Sequence, residues 1–274
     1  MGETLEGEVR TIYGLLMGID PNNLSPDQIH FDLFDVVESF VLTQRDPASR
    51  KISSKSLGLI DASSGGLLKE IAHLITITNR ILFTIRNREL IGEDNIRFWL
   101  SCDVEEFIGT MKSAADSLCC ILVNTSKQSG SMPTKCHDLA AWIKKYPERA
   151  SRNITGLFSR DMCWFEEIRA LRVALEHENA MVMIYFGEKE IFFDVARGII
   201  RSVLAPEISP RVMMMPLPGK LKEYLVSFFT FMEASALAIY NEIIENRYVD
   251  DFGLYATCVA GVIIEEFKEF LRET

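Results

Sequence analysis

The side chains best suited to chemistry lie together near the middle of the chain, in the segment from residue 164 to 180. Two guanidiniums, a carboxylate and an imidazole occur there within nine positions, at Arg169, Arg172, Glu176 and His177. Such a group could bind an anion and move a proton. The same row could equally be an ordinary solvated face of a helix.

Helical spacing of apolar residues predicts how this segment is positioned. Large apolar side chains recur three to four residues apart, at Trp164, Ile168, Leu171 and Leu175. At about 100° per residue they form one stripe on a helix, which predicts a buried face. Arg172 falls at the edge of that stripe, whereas Arg169, Glu176 and His177 fall on the polar side.

Two long helices are predicted before this segment, and they would form the backbone of an antiparallel bundle. Both carry apolar residues at helical spacing, and a break at Gly92 separates them. Their expected ranges are 67–87 and 95–125. Two short helices, at 137–146 and 149–158, lead into the central segment. Residues 46–66 are rich in Ser, Gly and Asp, which predicts a long loop.

The period of the pattern changes after residue 180. Residues 181–186 and 190–195 flank a turn that contains Gly187, which predicts a β-hairpin. A third short strand is expected within 211–215. Helices are then predicted at 220–246 and 253–272, both apolar around much of their circumference and therefore buried. At the other end of the chain we expect a helix over 3–17 and another from Ser25 to Arg45.

The central segment resembles the signature of HEPN domains. The resemblance rests on an Arg, four intervening residues and a His (Arg172 to His177), late in a helix and preceded by Ile168-Arg-Ala-Leu. It covers roughly residues 65 to 180. It implies a mostly α fold: a HEPN-like helical bundle at 65–180, preceded by a helical segment and loop at 1–64. The β-hairpin and the C-terminal helices at 181–274 would pack on this bundle.

The resemblance also implies an activity. In that family, Arg/His pairs from two subunits meet at a homodimer interface and cut RNA without a metal. His177 would then act as the acid or base and Arg172 would contact the phosphate. Glu176 or Asn179 would orient them, and Arg169 would be an auxiliary phosphate contact. One departure bears on catalysis: the family usually has a polar residue directly after the Arg, where this chain has Val173.

Two other interpretations stay open. His177 could be a surface histidine that pairs with a neighbouring glutamate, or the domain could bind RNA, a nucleotide or a protein without cleaving anything. Positions five apart on a helix point about 140° from each other, so a single copy would align Arg172 and His177 poorly. The catalytic interpretation therefore requires a homodimer.

A metal oxidase site would place the protein in a different functional class. Glu70 and His73 form a Glu-x-x-His unit on one long helix, and Glu105 and Glu106 lie on the next. Di-iron carboxylate bundles need two such units, and the sequence has only one. We therefore expect no metal and no other cofactor.

Length and composition are those of an ordinary globular protein: 274 residues, 48% hydrophobic and 25% charged, with a net charge of −10. That charge argues against a surface coated by nucleic acid, although basic residues outnumber acidic ones between Lys144 and Arg172. No apolar run is long enough to span a membrane and no signal peptide is evident, so the expected location is the cytoplasm. Cys102, Cys163 and Cys258 are expected to be core residues.

Overall fold

The computed structural model describes residues 33–47, 50–126, 131–160, 162–178, 180–188, 190–196, 214–246 and 248. Within these ranges the chain is mostly helical, with eight α-helices and one three-stranded antiparallel sheet. The helices are α1 (Leu33–Arg45), α2 (Ser54–Arg86), α3 (Arg88–Ile91), α4 (Glu93–Thr125), α5 (Cys136–Lys145), α6 (Arg152–Phe158), α7 (Cys163–His177) and α8 (Leu217–Glu245). The strands are β1 (Met181–Phe186), β2 (Ile191–Ala196) and β3 (Met215–Pro216), in the order β1-β2-β3.

Most of the predicted elements within these ranges are confirmed. The break between the two long helices falls at Gly92, whose φ of 88° is a conformation that favours glycine. The hairpin pairs Phe186 with Ile191 and Met181 with Ala196, within one residue of the expected bounds. None of the described helices is long and apolar enough to cross a membrane. The helices predicted at 3–17 and 253–272 lie outside the described residues.

The prediction of a loop over residues 46–66 is wrong from Ser54 onward, where α2 begins. Serine and glycine have low helix propensity, but burial of a helix face outweighs propensity. Leu57 and Ile60 are three residues apart, and both are buried. The cost of the serine and glycine residues in this part of α2 is therefore offset by packing.

The expectation that Cys102 and Cys163 are core residues is also wrong. Both thiols are exposed, because apolar neighbours in sequence do not share a face of a helix. Cys119 and Cys136, in contrast, are buried. Cys258 lies outside the described residues.

The chain divides into two compact units, and the first comprises residues 1–71, 113–162 and 226–263. Its described part buries one face of α1, including Leu33 and Phe40. Asn153 donates a hydrogen bond of 3.1 Å to Glu242, a glutamate of α8 that is only 2% exposed. A buried carboxylate needs such donors, because loss of water is otherwise uncompensated.

The second unit comprises residues 72–112, 163–225 and 264–274, and therefore contains α7 and the sheet. β1 is an edge strand whose outer backbone groups are paired with side chains of α4. Arg97 donates to the carbonyl of Ile184 at 2.8 Å, and Ser101 donates to that of Val182 at 2.9 Å. Glu105 accepts from the N–H of Val182 at 3.2 Å.

The spacing of the two elements explains this pairing. Side chains four apart on a helix are separated by about 6 Å along its axis. Residues two apart on a strand are separated by about 6.7 Å, so Arg97 and Ser101 stay in register with Ile184 and Val182. Glu105 reaches back to the second backbone group of Val182. The units predicted from sequence, at 1–64, 65–180 and 181–274, remain predictions, because compactness alone does not define a domain.

We expect Arg97→Ala to lower the free energy of unfolding by about 1–2 kcal/mol. The change leaves the carbonyl of Ile184 without its donor and removes the guanidinium that lies 4.8 Å from the centre of the Phe186 ring. Urea unfolding measures the change. Arg88→Ala removes an exposed arginine of α3 and is the control, with an expected effect within about 0.5 kcal/mol. Equal effects of the two substitutions would contradict the pairing of β1 with α4.

Candidate functional site

α7 is anchored by the first half of its predicted apolar stripe, whereas Leu171 and Leu175 are only half-buried. Trp164, Phe165 and Ile168 are buried, and the first two rings pack edge to face with centroids 5.8 Å apart. A salt bridge of 2.8 Å from Lys220 of α8 to Glu167 adds a polar anchor. The helix ends after His177, where the backbone N–H groups of residues 178 and 180 both donate to the carbonyl of Ala174.

Arg172 lies against α4, and its guanidinium is held from two sides. It forms a salt bridge of 2.5 Å with Glu176, one turn later on the same helix. It also lies over Gly109, where a Cβ atom would come within 2.5 Å of its Nη1. The absence of a side chain at residue 109 therefore leaves the space that the guanidinium occupies. The Arg172 side chain retains 35% exposure.

Arg169 is bound more loosely. Its guanidinium lies 3.5 Å from Glu166 on the same helix, and both side chains are more than one-third exposed. Ion pairs of this kind contribute about 0–1 kcal/mol, so a ligand can displace them. Each of the two arginines thus faces a carboxylate of its own helix.

His177 is the last residue of α7, and its side chain is exposed. No hydrogen bond or ion pair joins its imidazole to any described residue, so a pairing with Glu176 or Glu178 is not formed. The structure therefore brings Arg172 together with Glu176 but does not bring either of them to His177. Asn179, the remaining candidate, lies outside the described residues.

Exposure along α7 defines one open face. Ala170, Val173 and His177 are exposed and follow one another at spacings of three and four residues. These spacings place them within about 60° of one another on the helix. We call these three residues the open face of α7. Arg172 lies on a different side, at the edge of the buried stripe.

A second group of charged residues connects α2 and α4. Arg80 donates through Nη2 to Asp103 at 2.6 Å and also forms a very short contact with Glu106. His73 lies 2.8 Å from the other oxygen of Glu106. His73 and Glu106 were considered as metal ligands and set aside on sequence grounds, and in the structure Arg80 lies between them and Asp103. No cluster of three metal-ligating side chains occurs in the part of the chain that the structure describes.

Burial and pairing move the pKa values of this group in opposite directions. Burial raises the pKa of Asp103, although the hydrogen bond and charge of Arg80 oppose that shift. For Glu106 burial acts in the same direction, but the contacts with Arg80 and His73 outweigh it and lower the pKa. Burial disfavours the charge on Arg80, yet its hydrogen bonds to Glu106 and Asp103 raise its pKa. Two neighbouring carboxyl groups therefore differ in proton affinity, a property often found in functional sites.

The sequence spacing of these charged residues indicates that they could pair between the two helices. Arg80 follows His73 by seven residues, and Asp103 precedes Glu106 by three, so each pair shares a helix face. Opposite charges on the facing sides of two antiparallel helices predict an ion-pair network. This network was not predicted, because the charged residues of the two helices were interpreted only as possible metal ligands.

Comparison with known proteins adds no family assignment: no protein family, no curated protein and no solved structure matches this chain. The geometry of α7 and of the α2–α4 pair is therefore the basis for proposing a function.

Glu106→Gln is expected to weaken the dependence of stability on acid pH. The pKa of Glu106 in the folded protein is below its ordinary value of 4.5, so its charge stabilises the fold above that pH. This contribution is lost as the pH falls through the lowered pKa. Asp103 has a raised pKa, so its contribution to the pH dependence of stability has the opposite sign. Without the carboxylate of Glu106, the variant should lose stability less steeply below pH 4.5.

Urea unfolding over a series from about pH 6 to about pH 3 measures this slope. Glu188→Gln, at an exposed glutamate in the hairpin turn, should keep the slope of the unsubstituted protein. An unchanged slope in Glu106→Gln would show that the contacts with Arg80 and His73 do not hold the carboxylate charged.

Gly109→Ala tests the placement of Arg172. Alanine in place of glycine inside a helix stabilises by about 1 kcal/mol. At Gly66 of α2, the matched control, the new methyl group meets only the hydroxyl of Ser117 at 3.8 Å, so we expect the full gain. At Gly109 the guanidinium of Arg172 must move away, so the gain should be smaller. Equal gains by urea unfolding would mean that Arg172 does not pack over Gly109.

Proposed function

We propose that this chain is a HEPN-like protein that binds the phosphates of RNA or of a nucleotide through α7, without cleaving them. The observation that carries the proposal is the pair Arg169 and Arg172, three residues apart on one helix. Each guanidinium is paired with a partly exposed carboxylate of the same helix, and that of Arg172 also packs over Gly109. Since such pairs are weak, a phosphate can replace the carboxylate and accept two parallel hydrogen bonds.

Two features favour binding over cleavage. Arg172 and His177 are five residues apart and have no contact with each other, so one copy offers no shared pocket for a scissile phosphate. In addition, Val173 stands where the HEPN family usually has a polar residue, and its side chain is 37% exposed. An exposed valine cannot orient a substrate by hydrogen bonding.

A second candidate function is metal-independent RNA cleavage by a homodimer. The imidazole of His177 favours it, because it has no partner among the described residues and is available to take or give a proton. Arg172 would offset the charge that develops on the phosphate, with Glu176 or Asn179 orienting the pair. A second copy would have to supply the His177 that one copy cannot bring to its own Arg172.

One experiment separates the two candidates. A labelled single-stranded oligoribonucleotide is mixed with the protein in a chelating buffer, and both binding and strand length are followed. We expect binding without cleavage, and at least a tenfold loss of affinity in the double variant Arg169→Ala/Arg172→Ala. Loss of two phosphate contacts should also reduce the salt dependence of binding.

The matched control is Arg152→Ala/Arg160→Ala, which removes two arginines that lie outside α7, and it should bind RNA as the unsubstituted protein does. Cleavage that survives the chelator and disappears in His177→Ala would replace the first candidate by the second. Absence of binding, or binding that the α7 double variant does not weaken, would reject both.

A further inference from the structure

Cys119 of α4 and Cys136 at the start of α5 form a pair of buried thiols. Neither residue is exposed to solvent, and the two thiols are within hydrogen-bonding reach of each other. Both are free cysteines, so no covalent bond joins them. They belong to the first unit, whereas α7 belongs to the second. The pair therefore requires an explanation separate from the proposed function.

A second contact brings the same two helices together. The backbone N–H of Cys136 donates a hydrogen bond of 2.9 Å to the carboxylate of Asp116. Asp116 precedes Cys119 by three residues on α4, so the two side chains lie on one face of that helix. The carboxylate meets the backbone of Cys136 and the thiol meets its side chain. The closeness of the two thiols thus follows from the way in which the start of α5 is seated on α4.

The first turn of α5 is the part of that helix that opens most easily. Cys136 is its first residue, and the side chain of the preceding N-cap residue, Lys135, makes no capping hydrogen bond. A helix end that lacks such a cap is less stable than one that has it. The N–H of Cys136 depends instead on Asp116, which belongs to another helix. Local opening of this turn would let a small reagent reach the thiol of Cys136.

The surroundings of Cys119 favour its protonated form. Burial raises the pKa of this thiol, and its contact with Cys136 and the charge of Asp116 act in the same direction. Since the thiolate is the species that attacks a disulfide, exchange at this pair is expected to be slow. Slow exchange between two thiols that are already in contact favours a bond that forms only under sustained oxidation.

We propose that Cys119 and Cys136 form a reversible disulfide bond when the protein meets a small oxidised disulfide, such as oxidised glutathione. The thiolate of Cys136 attacks the reagent, forms a mixed disulfide and expels one thiolate of the reagent. The thiolate of Cys119 then attacks the Sγ atom of Cys136, closes the Sγ–Sγ bond and expels the second thiolate. The two cysteines lose two electrons and two protons, and the reagent becomes two thiols.

The bond would tie the start of α5 covalently to α4. Because it closes the chain between residues 119 and 136 into a loop, it restricts the unfolded state and should stabilise the fold. We therefore expect a higher midpoint of thermal unfolding for the bridged protein than for the reduced protein. Reduction with dithiothreitol should return the midpoint to its original value.

Incubation of the full-length protein with oxidised glutathione tests the proposal. The remaining thiols are alkylated, and the protein is digested with trypsin and analysed by mass spectrometry without reduction. We expect a cross-link between the peptides 113–127 and 136–144, which dithiothreitol should remove. Peptide 113–127 contains two adjacent cysteines, Cys119 and Cys120. Cys119→Ser should abolish the cross-link, whereas Cys120→Ser, the matched control, should retain it.

Glutathione adducts on the exposed thiols of Cys102 and Cys163 show that the reagent has reacted. Free thiols at Cys119 and Cys136 in the same sample would overturn the proposal, and the pair would then be core residues only. Fragmentation of the cross-linked peptides assigns the bond without a variant, so the test also decides if Cys119→Ser does not fold. A bond to Cys120 in the unsubstituted protein, or one that forms only in urea that unfolds the chain, would overturn the proposal as well.

Discussion

The edge strand β1 depends on one row of side chains from α4. A strand at the edge of a sheet presents backbone N–H and C=O groups that need partners when they are shielded from water. Arg97, Ser101 and Glu105 supply those partners, and Val182 and Ile184 beside them are buried. The three side chains differ in length and charge, yet each meets a backbone group of the complementary kind. The sheet is thereby fixed to α4 by polar contacts as well as by apolar packing.

The same helix serves other purposes on its remaining faces. Its core face buries Leu100, Val104 and Phe107, which are fully shielded. A further face turns Asp103 and Glu106 towards Arg80, and Gly109 leaves room for Arg172. Because all these faces belong to one rigid rod, a shift of α4 along its axis would disturb the sheet, the ion pairs and Arg172 together. Residues with unrelated candidate roles are therefore coupled mechanically through α4.

Periodicity was sufficient to predict those parts of the fold in which a local pattern has one solution. The two apolar runs on either side of Gly187 predicted the hairpin, and the break at Gly92 followed from the backbone preference of glycine. Periodicity was insufficient where contacts between residues far apart in the sequence determine the local structure. Residues 54–66 are helical because Leu57 and Ile60 are buried in a core. The serine and glycine residues in the same segment favour a loop when the sequence is considered alone. Likewise, the sequence assigned His73 and Glu106 to facing helices, but it could not show that Arg80 fills the space between them.

The candidate residues of α7 illustrate the same limit at the scale of one helix. Sequence spacing determined the angle between Arg172 and His177 on the helix. It did not determine which residues each side chain contacts. Arg172 meets Gly109 and Glu176, which restrict its rotamers, so a ligand that binds it would lose little further side-chain entropy. His177 meets no described side chain, so its imidazole would have to be ordered by whatever it contacts. Arg172 is held in place, and His177 lies on a different side of the helix. This arrangement suits binding of a ligand by the guanidinium alone. Proton transfer requires a second molecule to order the imidazole.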